Sequence, residues 1–294
     1  MKEIKITDKI LNCSHKDLDG CVSNLLICSV FKNTTSIFTN FEEINNYLVT
    51  INYDKYDWII LTDIHPMNEE YLKNPKIILL DHHESALDLH DPSKNRFVIP
   101  SICGAKLTQR FLERCFNLDL SKFDNLIYLT QDYDLWIHNN KKSKLLNELF
   151  FHYWEDKFKQ RFANGSTRFT KDEIEYLRYK IKEFNKVFDT LEIYEIPQIN
   201  GCMIVTDVFL NDCCEKLLKN GYNFVISLNP KNKHISIRHN IENFNCGNFL
   251  KLLDLGGGHA QACGLTEDNF ATAQERIEKF IEALSQILIF KKKQ

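Results

Sequence analysis

Lys76-Ile77-Ile78-Leu79-Leu80-Asp81-His82-His83 is an apolar run that stops on an acid and two adjacent imidazoles. Lys76–Leu80 is too short for a helix and has polar ends, so it reads as a strand buried on both faces of a parallel sheet. Asp57–Leu61 (DWIIL) has the same character, and Lys9–Cys13 reads as a further strand. Gly20–Phe31 sets Val22, Leu25, Leu26 and Val30 on one helical face. Strands alternating with helices give an α/β domain with a mainly parallel sheet.

In an open parallel sheet the carboxyl ends of the strands share one edge, and ligands bind there. Asp17 and Asp19 follow the first strand, Asp63 follows the second, and Asp81, His82 and His83 follow the third. Carboxylates joined to imidazoles suit Mn²⁺ or Mg²⁺. So many acids need cations to stay charged together. The pattern points to a pair of metal ions acting on phosphoryl oxygens. Taken singly, an Asp after a strand is more often a turn residue or helix N-cap. His65, just before Pro66, reads as a loop residue rather than a ligand. Convergence of three strand ends, with the His82-His83 pair, favours the metal reading.

The whole chain sets limits. Its 294 residues, 44% of them hydrophobic, suit one large or two medium domains. A net charge of −3 offers no global field for long nucleic acid, so any polyanion must be held locally. Met1–Asp8 is polar, with no signal-peptide pattern, and no apolar run reaches membrane length. The 10 cysteines include no CxxC pair, and Cys213-Cys214 are adjacent. They read as reduced thiols in a cytoplasmic protein rather than a disulfide framework.

Helical patterns run from Ile102 to Phe162, where Phe150, Phe151, Tyr153 and Trp154 are expected in the core rather than as stacking partners for bases. After the polar break Asn164–Thr167, Thr170-Lys171-Asp172-Glu173 fits a capping box. The helix it opens repeats Ile174, Leu177, Ile181, Phe184 and Phe188 at helical spacing and reads as a connector. Then α/β character resumes. Cys202–Val205 is a strand, Asp212–Asn220 a helix with Gly221 at its C′ position, and Asn223–Leu228 with His234–Arg238 a hairpin. Gly256-Gly257-Gly258-His259 is expected to precede a final helix, and Lys291–Lys293 to be a solvated tail. The expected organisation is an N-terminal domain over residues 1–165, a helical linker over 166–192 and a smaller α/β domain over 193–294.

Ser14-His15-Lys16-Asp17-Leu18-Asp19-Gly20, Thr62-Asp63 and Leu80-Asp81-His82-His83 resemble, in order, motifs I to III of the DHH phosphoesterase superfamily. Gly256–Gly264 resembles the GGGH signature of its C-terminal DHH-associated domain. The stretches SHKDLDG, LTQDYDLW and KLLNELFF are similar to the nanoRNase B-type branch of short-oligoribonucleotide hydrolases. They differ from the nanoRNase A and pAp-phosphatase branch, whose first motif has more residues between the His and the first Asp. The resemblance implies two Mn²⁺ ions, with Mg²⁺ as an alternative, and a short single-stranded oligonucleotide or dinucleotide substrate. Cyclic dinucleotide or pAp hydrolysis, or nucleotide binding without turnover, are the competing activities, and a homodimer is left open. It further implies that Asp63 bridges the metals, that His15 and Asp17 serve one and Asp19 and His82 the other, and that His83 lies by the scissile phosphate with Asp81 orienting the imidazoles. The fourth-motif acid is Asp134 or Asp132, with the pattern around Trp136 favouring Asp134. Arg238, Gly257, Gly258 and His259 would bind substrate phosphate through guanidinium, backbone N–H groups and imidazole.

Overall fold

The computed structural model describes residues 4–231, 234–258, 260–266 and 270–291. They form two compact units, Met1–Leu177 and Arg178–Gln294. The first holds strands β1 (Ile10–His15), β2 (Thr34–Thr39), β3 (Trp58–Thr62), β4 (Ile77–Asp81) and β5 (Arg96–Val98). All four pairings are parallel, in the order β2-β1-β3-β4-β5. Helices α1 (Leu18–Val30), α2 (Ile44–Thr50), α3 (Gly104–Phe116), α4 (Asp124–Asp134) and α5 (Lys141–Phe162) accompany them.

Period-two alternation explains why the central strands are apolar throughout. Ile10, Ile60, Ile78 and Leu80 pack on one face with Val22, Leu26, Leu112 and Phe150. Leu11, Ile59, Leu61, Ile77 and Leu79 pack on the other with Ile44 and Leu48. Each fully buried Leu or Ile contributes about 1.5–3 kcal/mol, so the sandwiched strands hold the sheet rigid beneath their carboxyl ends. The strand order reverses between β1 and β3: the chain leaves β1 to one side for β2 and returns to the other for β3. In open sheets that is where ligand crevices form.

Two differences from the sequence reading occur here. The first helix begins at Leu18 because Asp17 caps it, its Oδ1 accepting from Gly20 N–H at 2.8 Å. A Cβ on Gly20 would stand 2.2 Å from the His15 carbonyl oxygen, so only glycine lets α1 fold back onto the end of β1. Edge strands β2 and β5 were not expected. TTSIFT is polar at four of its six residues, with no strand paired to its outer edge among the described residues, and RFV is too short to show a period.

α6 (Lys171–Asp189) spans the division between the units. The expected capping box is present: Glu173 N–H donates to Thr170 Oγ1 at 3.2 Å, and Thr170 N–H donates to Glu173 Oε2 at 2.5 Å. Leu177 joins the first unit's core, and Phe184 and Phe188 pack in the second. Ile174 and Ile181 remain exposed.

The second unit holds β6 (Ile193–Ile196), β7 (Gly201–Val205), β8 (Phe224–Asn229), β9 (His234–His239), β10 (Gly257–Gly258) and β11 (Ala262–Thr266), with α7 (Leu210–Lys219), α8 (Cys246–Leu252) and α9 (Phe270–Lys291). The sheet order is β10-β11-β9-β8-β7-β6, and only β7–β8 is parallel. Gly221, with φ of 110°, follows the end of α7 as expected. The glycine run does not lead directly into the last helix: β11 intervenes, pairing with both β9 and β10. Ala262-Cys263-Gly264 is too small-residued to show a strand pattern in sequence.

The reading of every cysteine as a thiol is corrected at one pair. Cys246 on α8 and Cys263 on β11 are joined by a disulfide, with Cα atoms 5.8 Å apart. Their separation of 17 residues carries no recognisable spacing. The other eight are free. Among the described residues no helix is long and apolar enough to cross a membrane.

Replacing Thr170 by Ala is expected to cost about 1 kcal/mol in denaturant unfolding. Glu173→Ala should cost more, about 2 kcal/mol or above, because Glu173 is buried and also accepts from Arg161 Nε at 2.7 Å and Tyr153 OH at 3.0 Å.

Candidate metal centre

The ends of β1, β3 and β4 bring together the acids and imidazoles that lie far apart in sequence. Asp63 stands at the crossing point, fully buried and in the left-handed region with φ of 60°. Its Oδ2 lies 3.7 Å from His15 Nδ1 and its Oδ1 3.0 Å from His82 Nε2. Neither oxygen accepts a well-formed hydrogen bond. On one side His15, Asp17 and Asp63 form a group whose donor atoms all lie within 4.8 Å of one another. Asp19, His82 and Asp134 form a second such group, and Asp63 approaches it through His82.

Each donor has its own support. Asp17 acts twice: Oδ1 caps α1 while Oδ2 sits 2.8 Å from His15 Nδ1. Asp19 is buried and accepts from Gly104 N–H at 2.6 Å and Ala105 N–H at 2.9 Å, the first amides of α3. His82 Nε2 has Asp134 Oδ2 at 3.4 Å and Asp19 Oδ2 at 3.6 Å. Of the two fourth-motif acids, Asp134 faces this group. Asp132 is turned away, accepting from Asn139 N–H at 2.9 Å and Asn140 N–H at 3.1 Å.

Protonation follows from the crowding. Burial, then the charges of Asp63 and Asp134, push the Asp19 carboxyl well above its ordinary range. Burial likewise raises Asp134 to about 6, against the opposing pull of His82. Burial would raise Asp63 too, but the facing imidazoles of His15 and His82 hold it well below the usual range. Burial would lower His15 and His82, yet the facing carboxylates raise both well above 6.5: Asp17 and Asp63 for His15, Asp134, Asp63 and Asp19 for His82. Protons are thus doing in part what cations would do better. Buried carboxylate oxygens without hydrogen bonds, opposed by imidazole nitrogens, fit two hard divalent cations.

His65 lies in a loop, as expected, and its ring supports the centre from there. It is buried, and its Nδ1 lies 2.6 Å from Asp81 Oδ2. Asp81 Oδ1 accepts from His82 N–H at 2.7 Å and faces His83 Nδ1 at 2.7 Å. The neighbouring imidazoles hold the Asp81 carboxyl well below its ordinary range in spite of burial, so it is ionised and only accepts. His65 and His83 must therefore both donate through Nδ1, which fixes both rings. Phe41, also not anticipated, sets its ring 5.4 Å from His15 and 5.1 Å from both His65 and His83, walling the imidazoles on one side.

In the second unit, Arg238 lies on β9 opposite Ala262 of β11, and Gly258 of β10 pairs with Cys263. The Arg238 guanidinium donates to Ile237 O at 3.1 Å and Asn211 Oδ1 at 3.1 Å. Gly257 and Gly258 form an edge strand rather than a turn. Gly258 has φ of 134°, and a Cβ on Gly247 of α8 would meet its carbonyl oxygen at 2.0 Å. His259 lies outside the described residues.

No family model matches the chain. The motif order, the parallel sheet and the donor set at its carboxyl edge nevertheless resemble those of DHH phosphoesterases, and the fold is the one seen in solved DHH-domain structures. The fold is shared with the DHH domain of a member of a ribosomal-protein family, with a TM-score of 0.61 at 13% identity over 94% of this chain and 86% of that one. It is shared also with RecJ of Thermus thermophilus in complex with Mn²⁺, with a TM-score of 0.52 at 13% identity over 95% of this chain and 52% of that one. In sequence the chain is similar to oligoribonuclease NrnB of Bacillus subtilis (strain 168): 24% identical over 305 residues, covering 87% of this chain and 72% of the relative.

Two outcomes are expected. Cation binding requires neutral imidazole, and the facing carboxylates raise His15 and His82 well above the usual histidine value, so loading a divalent cation should release protons. Affinity should accordingly rise with pH through those raised values and fall below them, which calorimetry in buffers of different ionisation enthalpy would check. His65→Ala should lower divalent-cation affinity by about 10–100-fold through loosening of Asp81 and His83, measured by metal titration beside an unfolding curve.

Proposed function

We propose that the chain is a Mn²⁺-dependent phosphodiesterase that degrades short oligonucleotides to mononucleotides. The observation that carries this reading is Asp63, whose two buried oxygens face different imidazoles and so can be shared between two cations. His15 and Asp17 would hold one ion with Asp63, and Asp19, His82 and Asp134 the other. Mg²⁺ would substitute for Mn²⁺. Such cations supply positive charge to phosphoryl oxygens and make water more acidic.

The protein's own groups do the rest. Asp81 orients His83 through Nδ1, so that the ring's other nitrogen can hydrogen-bond a phosphate oxygen. Asp19 is kept still by two backbone amides, which limits the reorganisation needed when substrate enters. Phe41 and the buried strand ends exclude water around the imidazoles. Arg238, Gly257, Gly258 and His259 are proposed to hold a substrate phosphate on the second unit. The RNA-directed reading is supported by the similarity to oligoribonuclease NrnB, and the Mn²⁺ reading by the fold shared with Mn²⁺-bound RecJ. A weak net charge suits substrates with few phosphates. Eight of the ten cysteines are free, which suits a reducing cytoplasm, while the Cys246–Cys263 disulfide runs against it.

Incubating the protein with Mn²⁺ and labelled di- to pentanucleotides should release mononucleotides, with pAp and cyclic dinucleotides turned over more slowly. Asp63→Ala should reduce the rate about a thousandfold or more. Faster turnover of pAp or a cyclic dinucleotide would reassign the substrate. Nucleotide binding with no turnover of any of these would sink the enzymatic reading in favour of a nucleotide-binding regulator.

A further inference from the structure

Helix α5 carries Leu146, Phe150, Trp154, Phe158 and Phe162 at intervals of four. Side chains spaced in this way follow one face of a helix. Leu146, Phe150, Phe158 and Phe162 are 0% exposed, while Trp154, at the centre of the run, is 49% exposed. The backbone explains how. Trp154 has φ of 56° and ψ of −178°, which breaks the helix there. That combination is open essentially to glycine alone and costs about 1–3 kcal/mol elsewhere. The chain places its largest side chain, not a glycine, at this strained point, and the strain carries the indole out of the core stripe.

The surroundings form a small platform. Phe151 is exposed and stands edge-on to the indole, with centroids 5.8 Å apart at 89°. Buried Phe150 backs it at 6.2 Å. Lys16 Nζ lies 5.8 Å from the indole ring. Lys16 is the residue between His15 and Asp17, and neighbouring Cα atoms are only about 3.8 Å apart. The side chain that reaches the exposed indole therefore comes from the loop that supplies two of the metal-centre donors.

We propose that Trp154, edged by Phe151, is a stacking platform for a nucleobase next to the cleaved phosphodiester, with Lys16 meeting the phosphate of the same nucleotide. Naming the ligand as a nucleotide rests on the proposed function. The choice of occupant rests on charge. An apolar protein surface laid on Trp154 and Phe151 would bury the Lys16 ammonium without a counter-charge, which is costly. A nucleotide brings a π-face for the indole and an anion for the ammonium together, and every base offers such a face.

The test reads binding apart from turnover. With Ca²⁺ in place of Mn²⁺, a dinucleotide and its abasic counterpart are titrated against wild type, Trp154→Phe, Trp154→Ala and Trp154→Gly. Wild type should bind the base-containing ligand about tenfold more tightly and show quenched tryptophan emission. Trp154→Ala and Trp154→Gly should lose that factor on the dinucleotide and nothing on the abasic ligand, while Trp154→Phe keeps most of it. Trp154→Gly removes the strain, so it should melt at the wild-type temperature or above. Equal affinities in all four proteins, equal losses on both ligands, no preference for bases in wild type, or a lower melting point for Trp154→Gly would each overturn the platform. Trp154-dependent base binding without Mn²⁺-dependent hydrolysis would overturn the proposed activity and leave the platform standing. Hydrolysis indifferent to Trp154 would do the reverse.

Discussion

His82 Nε2 faces carboxylate oxygens of Asp63, Asp134 and Asp19 at 3.0, 3.4 and 3.6 Å. Holding three acids out of water around one imidazole is unfavourable unless other groups or cations offset it. The neighbouring backbone is arranged around that crowding. Gly104 and Ala105 aim their amides at Asp19, and a Cβ on Gly104 would stand 2.8 Å from Asp63 Cβ and 2.9 Å from Asp19 Oδ2. Helix α3 must therefore begin on glycine for its positive N-terminal end to reach the acids. Below the centre, Asn12 donates to Ile60 O at 2.8 Å and to Thr62 Oγ1 at 3.0 Å, and Ser14 Oγ donates to Gly20 O at 2.7 Å. These buried bonds tie β1, β3 and the start of α1 together under the residues that carry the charge.

Much of this was legible because the fold and the site share one cause. Two-sided burial makes β3 and β4 apolar, and their carboxyl ends mark where a ligand edge must be. The triplet after Leu80 and the acids after β1 therefore fall into place once the sheet is recognised. Asp17 shows why the cautious reading and the functional one need not compete: a carboxylate has two oxygens, and here one caps α1 while the other faces His15. His65 stands before Pro66, which marks a loop. It is in a loop, but one that turns a buried ring onto Asp81. Nothing local marks that partnership, since Asp81 lies 16 residues away.

Elsewhere the sequence was silent for physical reasons. β2 lacks a clean apolar period, with no strand paired to its outer edge among the described residues. β11 is built from small residues whose strand character comes from partners on both sides, β9 and β10. The Cys246–Cys263 pair depends on α8 packing over that same strand. In each case the deciding contact is tertiary, and a pattern read along the chain has no access to it.

Positive φ falls on two kinds of residue. Asn95, Asn117, Asn200, Asn243 and Asp254 have positive φ, a conformation that short polar side chains tolerate and that turns and helix ends use. Trp136, His138, Trp154 and, at the start of α7, Phe209 have it too, and bulky side chains do not adopt it without support. For Trp136 and His138 the support is visible. Asp132 O accepts from Ile137 N–H and His138 N–H, both at 3.0 Å, while its carboxylate takes Asn139 and Asn140 N–H. Asp132 thus grips the whole turn that leaves Asp134, with every acceptor it has directed at the turn's backbone. The two acids of this motif divide the work by direction: Asp134 reaches towards His82, and Asp132 holds the strained loop that lets α4 end where it does.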